Sequence, residues 1–484
     1  MLVTPIAVLV LLRRSAGLDW FLFAPNVHLV LAVVLATSAL IVACAAGATA
    51  ARSEAGSPLW LALGCLLCGI VFAGHGLTTP GALGQPDNEW VARLSYASVI
   101  ALTLGLAASS SPRLRRLDRF VVEHRPAVLV APSVVTIALL AIVVRDPHVL
   151  HGSTPLPHEQ AVTDAVAFVC LVLLGRVVMR HWPRWRLGRD VIQLALVLSA
   201  TMSAAALFAL RFGPVGRISW WNYHGYLLAG FGGTIAAIVY RSRQERTVAS
   251  TLGAAFSDDA FELISAGYST ALRSMVRAVE VKDAYTHGHS ERTAKMAVRL
   301  GVRLGLPPDQ LRTIACGAYL HDLGKIGIPD AILNKPGRLT EEERSVVEAH
   351  PRLGYEIALP ASSLREALPI ILHHHERIDG EGYPDRLAGH EIPFEARVVT
   401  VADVWDALTS KRSYRDPMPL HEALAHITAG AGTHFDPLVV RALNDVMRDE
   451  GVVIASEEAG EADTAWAAAE TCHELDEGRE LVTA

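Results

Sequence analysis

The sequence predicts an all-α protein in two parts, a bundle of about seven transmembrane helices followed by a cytoplasmic helical domain. Three observations predict it. The first half holds uncharged apolar stretches of about 20 residues, the length that crosses a ~30 Å hydrocarbon core at the helical rise. The charge then changes sign: through Arg246 there are 20 cations, all Arg, against 11 anions, whereas the remainder holds 23 against 38. Finally, His and Asp motifs gather between Val281 and Arg415, away from every apolar stretch. At 484 residues, 51% of them hydrophobic, and with a mean hydropathy of +0.32, the chain is too long and too apolar for one soluble domain. The acidic second part excludes nucleic-acid binding as its main business.

The opening segment, 1–26, contains "LVTPIAVLVLL", which is too short to span and lacks a prompt cleavage site, so it is read as interfacial. Spans are expected at about 27–49, 58–77, 90–110, 126–144, 161–180, 191–210 and 223–240. Arginine placement orients them. The loops "SPRLRRLDRFVVEHRP" and "RHWPRWRLG" and the exit "RSRQER" fall on one side by alternate counting, and the opposite loops are nearly free of cations. The C-terminal half is therefore expected in the cytoplasm. Seven spans exceed what an anchor needs, which favours a sensing role for 27–240.

Cys65 and Cys68 form a CxxC without a second pair and read as helix filler, while the lone Cys316 and Cys472 fit a reducing compartment. His75, His148, His151 and His158 lie near the outer face. Polar residues at a membrane boundary is the plainer reading there, ahead of a metal or proton-sensing patch. Trp220, Trp221 and Tyr223 read as an interfacial aromatic belt. A connector, 241–267, leads into "AFELISAGYSTALRSMVRAVEVKD", whose apolar spacing implies an amphipathic helix entering the domain at 268–448. The tail, 449–484, is rich in Ala, Glu and Asp and is expected to be disordered or loosely helical.

The domain carries its chemistry in separate motifs. "THGHSERT" supplies His289, "HDLGKIGIP" supplies His321, Asp322 and Lys325, and "EAHPRLG" supplies His350. "ILHHHERIDGEGYP" supplies His374 and His375, and "VADVWDALTSKRSYR" supplies Asp403, Asp406, Arg412 and Arg415. With 20 His and 22 Asp in the chain, about one His-Asp pair is expected by chance, so the dipeptide alone proves nothing. Its setting matters more. An adjacent His-Asp at the end of an apolar helix can serve two metals, the imidazole holding one and the carboxylate oxygens bridging both. Mixed imidazole and carboxylate donors suit Fe, Mn, Zn or Ni rather than an all-oxygen Mg or Ca cage. Seven donors suit two ions that keep open positions.

Taken together, "HHE", "DGEGYP" and "DALTSKRSYR" resemble the HD-GYP family, a branch of the HD-superfamily metal-dependent phosphohydrolases whose members hydrolyse bacterial cyclic di-GMP. The resemblance covers about Tyr268 to Arg448 and implies an all-helical HD-type domain. It implies one ion on His289, His321, Asp322 and Asp403, and a second on bridging Asp322 with His350, His374 and His375. Fe or Mn are favoured, with Zn or Ni as alternatives. His373 and His287 each precede a matched histidine and are expected outside the ligand set. A third metal in some members uses a Glu where this chain has Tyr285, so two divalent ions are expected. Lys282-Asp283 stands where the family has Arg-Asp.

The chemistry expected is phosphodiester hydrolysis, with two metals lowering the pKa of a water and neutralising charge on phosphorus. Asp322 and Lys325 are the catalytic candidates, Lys325 lying four residues beyond His321 and able to meet the phosphoryl oxygens. Arg412 and Arg415, three apart, would clamp phosphate, and Tyr383 would offer a ring to a guanine. Gly380 and Gly382 would permit a tight path around it. The resemblance implies linear pGpG as first product, with GMP on further cleavage, in an inner (plasma) membrane protein. The partners expected are cyclic di-GMP, the lipid bilayer, a second copy through the connector helix and a diguanylate cyclase, with no nucleic acid. A non-catalytic nucleotide-binding module would have lost a ligand, and none is lost. Another cyclic dinucleotide is compatible with every motif.

Overall fold

A computed structural model of the chain describes residues 3–15, 17–52, 56–84, 90–146, 149, 159–244, 256–283, 288–335, 337–411 and 416–452. His148, His151, His158, Tyr285, His287, Arg412, Arg415, Cys472 and the acidic tail from 453 lie outside them. Among the described residues every regular element is a helix, with only isolated bridges such as Phe21 to Arg217. The chain divides into two compact units, Met1–Asp258 and Asp259–Ala484.

The first unit contains α1 (Val3–Arg14), α2 (Pro25–Ala50), α3 (Ser57–Leu77), α4 (Trp90–Ser109), α5 (Asp118–Glu123), α6 (Arg125–Arg145), α7 (Glu159–Gly188), α8 (Val191–Phe212) and α9 (Ile218–Gln244). Prolines open α2, α3 and α6, where a missing N–H leaves no bond unmade. Six of these helices, α2, α3, α4, α6, α7 and α8, are long and apolar enough to cross a membrane. The seventh expected span is present as the 27-residue α9 but is not among them. Its first turns carry Asn222, Tyr223, His224 and Tyr226, which dilute its apolar content.

Burial sorts the helices into layers. The apolar windows of α3 and α8 are 67% and 72% buried, against 6% and 17% for α6 and α7. The inner pair forms the core, and the outer pair exposes Val134, Ile137, Leu139, Phe168 and Val172. Apolar faces of that extent suit a hydrocarbon surround rather than water. Between α3 and α4 the backbones nearly touch: a Cβ on Gly64 would stand 2.4 Å from the Gly105 Cα. Glycine pairs of this kind let membrane helices pack closely without a hydrophobic driving force. Cys65 and Cys68 are buried in the same helix as packing groups.

Polar contacts close the two ends of this bundle. Asp258 meets Arg115, Arg180 and Arg184, so both arginine-rich stretches lie at one end; the second, expected as a loop, is the last part of α7. At the other end, buried Asp19 accepts the Ser219 N–H at 2.8 Å and the Ser219 hydroxyl at 3.0 Å, capping the start of α9. The opening segment is thus docked, with α1 packed on α8 and α9. Trp220 and Tyr223, expected as an outward belt, are instead 4% and 0% exposed and pack among histidines.

The second unit contains α10 (Ala260–Ser265), α11 (Thr270–Lys282), α12 (His289–Arg303), α13 (Pro308–Leu320), α14 (Asp330–Leu333) and α15 (Glu341–Glu348). It continues with α16 (His350–Ala358), α17 (Leu368–His373), α18 (Phe394–Thr409), α19 (Leu420–Ala429) and α20 (Pro437–Asp449). The single amphipathic helix expected across the domain entrance is two. Gly267 follows α10, and the Ser269 hydroxyl restarts the chain by accepting the Leu272 N–H at 3.3 Å. α11 then seats Val276 and Val279 against Leu320, Leu323, Leu368 and Ile371. α18 runs through the centre, with Ala396, Val398, Val399, Val401 and Ala402 buried against α12, α13 and α17.

The close approach of α3 and α4 is directly testable. Gly105→Leu would force the helices apart, at a cost of about 1–3 kcal/mol for overpacking. Thermal unfolding of the detergent-solubilised chain should show a clearly lowered midpoint, whereas Gly175→Leu, with open space around its Cβ position, should leave it unchanged.

Candidate metal centre

Helix ends build the site. His321 and Asp322 follow the last turn of α13, His289 and His350 open α12 and α16, and His374 and His375 follow α17. Asp403 and Asp406 project from α18. Three of the histidines are fixed in the same way. Each Nδ1 donates to the carbonyl three residues earlier: His321 to Ala318 at 2.7 Å, His350 to Val347 at 2.7 Å, and His374 to Ile371 at 2.9 Å. A carbonyl only accepts, so Nδ1 carries the hydrogen and Nε2 presents a bare lone pair. Gly324 makes the assembly possible, because a Cβ there would stand 1.8 Å from the His350 carbonyl oxygen.

Two donor clusters result. His289, His321 and Asp322 form one, and His350, His374 and His375 the other, with the ligand atoms of each within 4.8 Å of one another. Asp322 faces both. Its Oδ2 lies 3.4 Å from His321 Nε2 and 3.8 Å from His289 Nε2, and its Oδ1 lies 3.5 Å from His350 Nε2. Asp403 Oδ1 adds to the first cluster at 3.1 Å from His289 Nε2 and 3.7 Å from His321 Nε2. In the second, His350 Nε2 and His374 Nε2 are 3.3 Å apart. The His321 Nε2 is buried yet makes no hydrogen bond. Converging lone pairs, an orphaned imidazole nitrogen and a carboxylate shared between clusters fit metal ions. All seven expected ligands are brought together. His373 is not; it turns toward Glu376 and Asp385, 3.8 Å from each.

Several residues that sequence reasoning left without a role support this arrangement. Asp406 accepts from His289 Nδ1 at 2.7 Å and from Arg292 Nε at 2.7 Å, which orients His289 as the backbone carbonyls orient the others. Its place three residues after Asp403, on the same helix face, was the available signal. Lys325 is held at 2.8 Å from Asp322 Oδ2 and 3.1 Å from Asp283 Oδ2. Asp283, to which the sequence assigned no role, thus helps to hold Lys325. Glu376, 2% exposed, accepts the Asp385 and Leu387 N–H groups at 2.7 and 3.1 Å and clamps the glycine-rich loop. Gly380 has φ +78°, and a Cβ on Gly382 would stand 2.5 Å from the Arg377 nitrogen, so both glycines are required there. Tyr383 stacks on His375 with ring centroids 4.8 Å apart, so one face of its ring is already taken.

Electrostatics differ between the clusters. Burial pushes the His289 imidazole down, but hydrogen bonds to Asp403 and Asp406 outweigh it and raise its pKa to about 9. Burial alone dominates at His350 and His375, lowering them to about 4 and about 3. Burial would raise Asp322, yet Lys325 and the surrounding imidazoles hold it well below the usual carboxylate range. At neutral pH the first cluster holds a proton on His289 and the second is neutral and ready.

A metal entering the first cluster must displace the His289 proton. Below about pH 9 its apparent affinity should therefore fall about tenfold per pH unit. The second cluster should stay nearly flat over the same range. Isothermal titration of metal-free protein with Mn2+ from about pH 7 to about pH 8.5 checks this. Two pH-independent binding steps would contradict it.

Residues 273–439 match the HD domain family. The cyclic di-GMP phosphodiesterase response regulator RpfG of Xanthomonas campestris is 46% identical over 174 residues, 36% of this chain and 46% of that protein. The cyclic di-GMP phosphodiesterase PA4108 of Pseudomonas aeruginosa is 39% identical over 211 residues, 43% of this chain and 50% of that protein. The 3'3'-cGAMP-specific phosphodiesterase 2 of Vibrio cholerae is 38% identical over 172 residues, 35% of this chain and 33% of that protein. The chain spans half or less of the length of these relatives. The C-terminal unit of this chain is an HD domain, and its motifs are those of the HD-GYP branch.

Proposed function

We propose that the chain is a membrane-bound phosphodiesterase that opens cyclic di-GMP to linear pGpG, with GMP on further cleavage. The observation that carries the reading is Asp322, whose two oxygens face two separate histidine clusters. His289, His321, Asp322 and Asp403 would hold one divalent ion, and Asp322, His350, His374 and His375 a second, Fe or Mn ahead of Zn or Ni. When bound, the pair supplies Lewis acidity that lowers the pKa of a water and offsets charge on phosphorus.

The chain's own residues do the rest. Lys325 fixes Asp322 between the clusters, and with Asp322 and Asp283 taking two of its three ammonium hydrogens it would turn the third to a phosphoryl oxygen. Arg412 and Arg415 would grip the phosphates after α18 ends at Thr409. Tyr383, stacked on His375, would form one wall for a base. The gathering of the arginine-rich stretches at one end of the first unit supports a cytoplasmic side for that end and for the HD domain, in the inner membrane. Cyclic di-GMP leads because relatives 46% and 39% identical over the HD domain carry that name; 3'3'-cGAMP is the second reading, favoured by the Vibrio relative at 38% identity.

Full-length protein in nanodiscs, loaded with Mn2+ or Fe2+, tests the reading. It should convert cyclic di-GMP to pGpG, and Asp322→Ala should abolish turnover together with metal content. Arg412→Ala or Arg415→Ala should each cost roughly 1.5–3 kcal/mol, about 10- to 150-fold in kcat/KM, with metal unchanged. Binding without cleavage by the loaded protein would favour an effector, and faster cleavage of 3'3'-cGAMP would reassign the substrate.

A further inference from the structure

At the end of the first unit opposite its arginine-rich stretches, three histidines from three helices meet. His28 lies in the first turn of α2, His75 in the last turn of α3 and His224 near the start of α9. All three are buried, and their ligand atoms lie within 4.8 Å of one another. Nothing in the sequence links positions so far apart, and the plainer reading of His75 was a polar residue at a membrane boundary; His148, His151 and His158, named with it, lie outside the described residues.

Counting hydrogens shows why the group is unusual. His75 Nδ1 donates to the Val91 carbonyl at 2.8 Å, so its Nε2 is a lone pair. His224 Nδ1 donates to the Trp221 carbonyl at 3.2 Å, and its Nε2 is buried without any hydrogen bond. The Thr79 hydroxyl lies 2.7 Å from His28 Nδ1 and 3.2 Å from the His75 carbonyl. His28 Nε2 faces His75 Nε2 at 3.0 Å, and it offers a lone pair in the tautomer that carries its hydrogen on Nδ1. The Tyr223 hydroxyl lies 2.7 Å from His75 Nε2. Three buried imidazoles thus bring ligand atoms together, one of them without any hydrogen bond, and a cation among them would satisfy all three. The device is the one seen in the cytoplasmic unit, where carbonyls claim Nδ1 and turn Nε2 inward.

We propose that His28, His75 and His224 form a binding site for one borderline divalent transition-metal ion, Zn2+ or a close relative. Three neutral imidazoles are a donor set for such an ion and no match for Mg2+ or Ca2+. A fourth position is reachable. His28 lines a cavity of about 310 Å³ together with Phe21, Phe23, Val91, Trp220 and Trp221, which gives an ion a path in and leaves room for a further ligand. The ion joins α2, α3 and α9, the last of which precedes the segment leading to the HD domain. The site does not depend on the phosphodiesterase reading.

The test uses full-length protein in nanodiscs carrying His321→Ala and His374→Ala, which cripple both cytoplasmic clusters. Loaded with Co2+ and dialysed, it should retain about one ion per chain, with the intense visible bands of four-coordinate Co2+. His75→Gln and His224→Gln, added singly, should remove the ion and the bands. X-ray absorption on the Co2+ parent reads the imidazole count directly, so the outcome stands even where a Gln variant does not insert; about three imidazoles per ion supports the site. Failure of the parent to retain an ion, as expected for a proton shared between His28 and His75, would overturn it. So would an ion with fewer than two imidazoles, or one retained by both Gln variants.

Discussion

A buried carboxylate with two oxygens and opposed obligations organises the C-terminal unit. Asp322 is 4% exposed, and a charge so far from water persists only where neighbours compensate it. Lys325 supplies the permanent counter-charge from three residues away, and imidazoles of three helices supply the remainder. The histidines cannot turn aside, because helix-end carbonyls hold their other nitrogens. Nor can the helices part, since α16 sits directly on the backbone at Gly324. The geometry is therefore set by packing before any ion arrives, which is the preorganisation that metal-assisted hydrolysis needs.

Much of this was legible in the chain. Apolar run length located the long helices of the first unit, because spanning a hydrocarbon layer dictates length and composition together, but α7 runs eight residues past its expected end and α9 begins five residues before its expected start. The seven donors that the structure gathers were named from the motifs and the family those motifs resemble. What escaped were relations that depend on three-dimensional neighbours. Asp406 and Asp283 look like ordinary acidic residues until His289 and Lys325 are placed beside them. The break at Gly267–Ser269 was hidden by an apolar period that continues through it, since periodicity does not register a cap. Trp220 and Tyr223 read as interfacial by type, yet their burial follows from a histidine cluster assembled from positions 28, 75 and 224.

The two units solve one problem alike. In each, backbone carbonyls take the Nδ1 hydrogens of two or more histidines, and in each the ligand atoms of three or more side chains converge. In the first unit the surround is apolar and the set all-imidazole; in the second, carboxylates join and the charge balance changes. That difference separates a site suited to holding an ion from one suited to hydrolysis, where a bridging carboxylate and open positions are needed.

The central claim is that Asp322 joins two ions. Electron paramagnetic resonance of the Mn2+-saturated protein addresses it directly, because two Mn2+ ions sharing a carboxylate are magnetically coupled. The account predicts a broad exchange-coupled spectrum in the wild-type protein, lost in Asp322→Ala. A simple six-line spectrum of isolated Mn2+ at saturation, unchanged by Asp322→Ala, would contradict it.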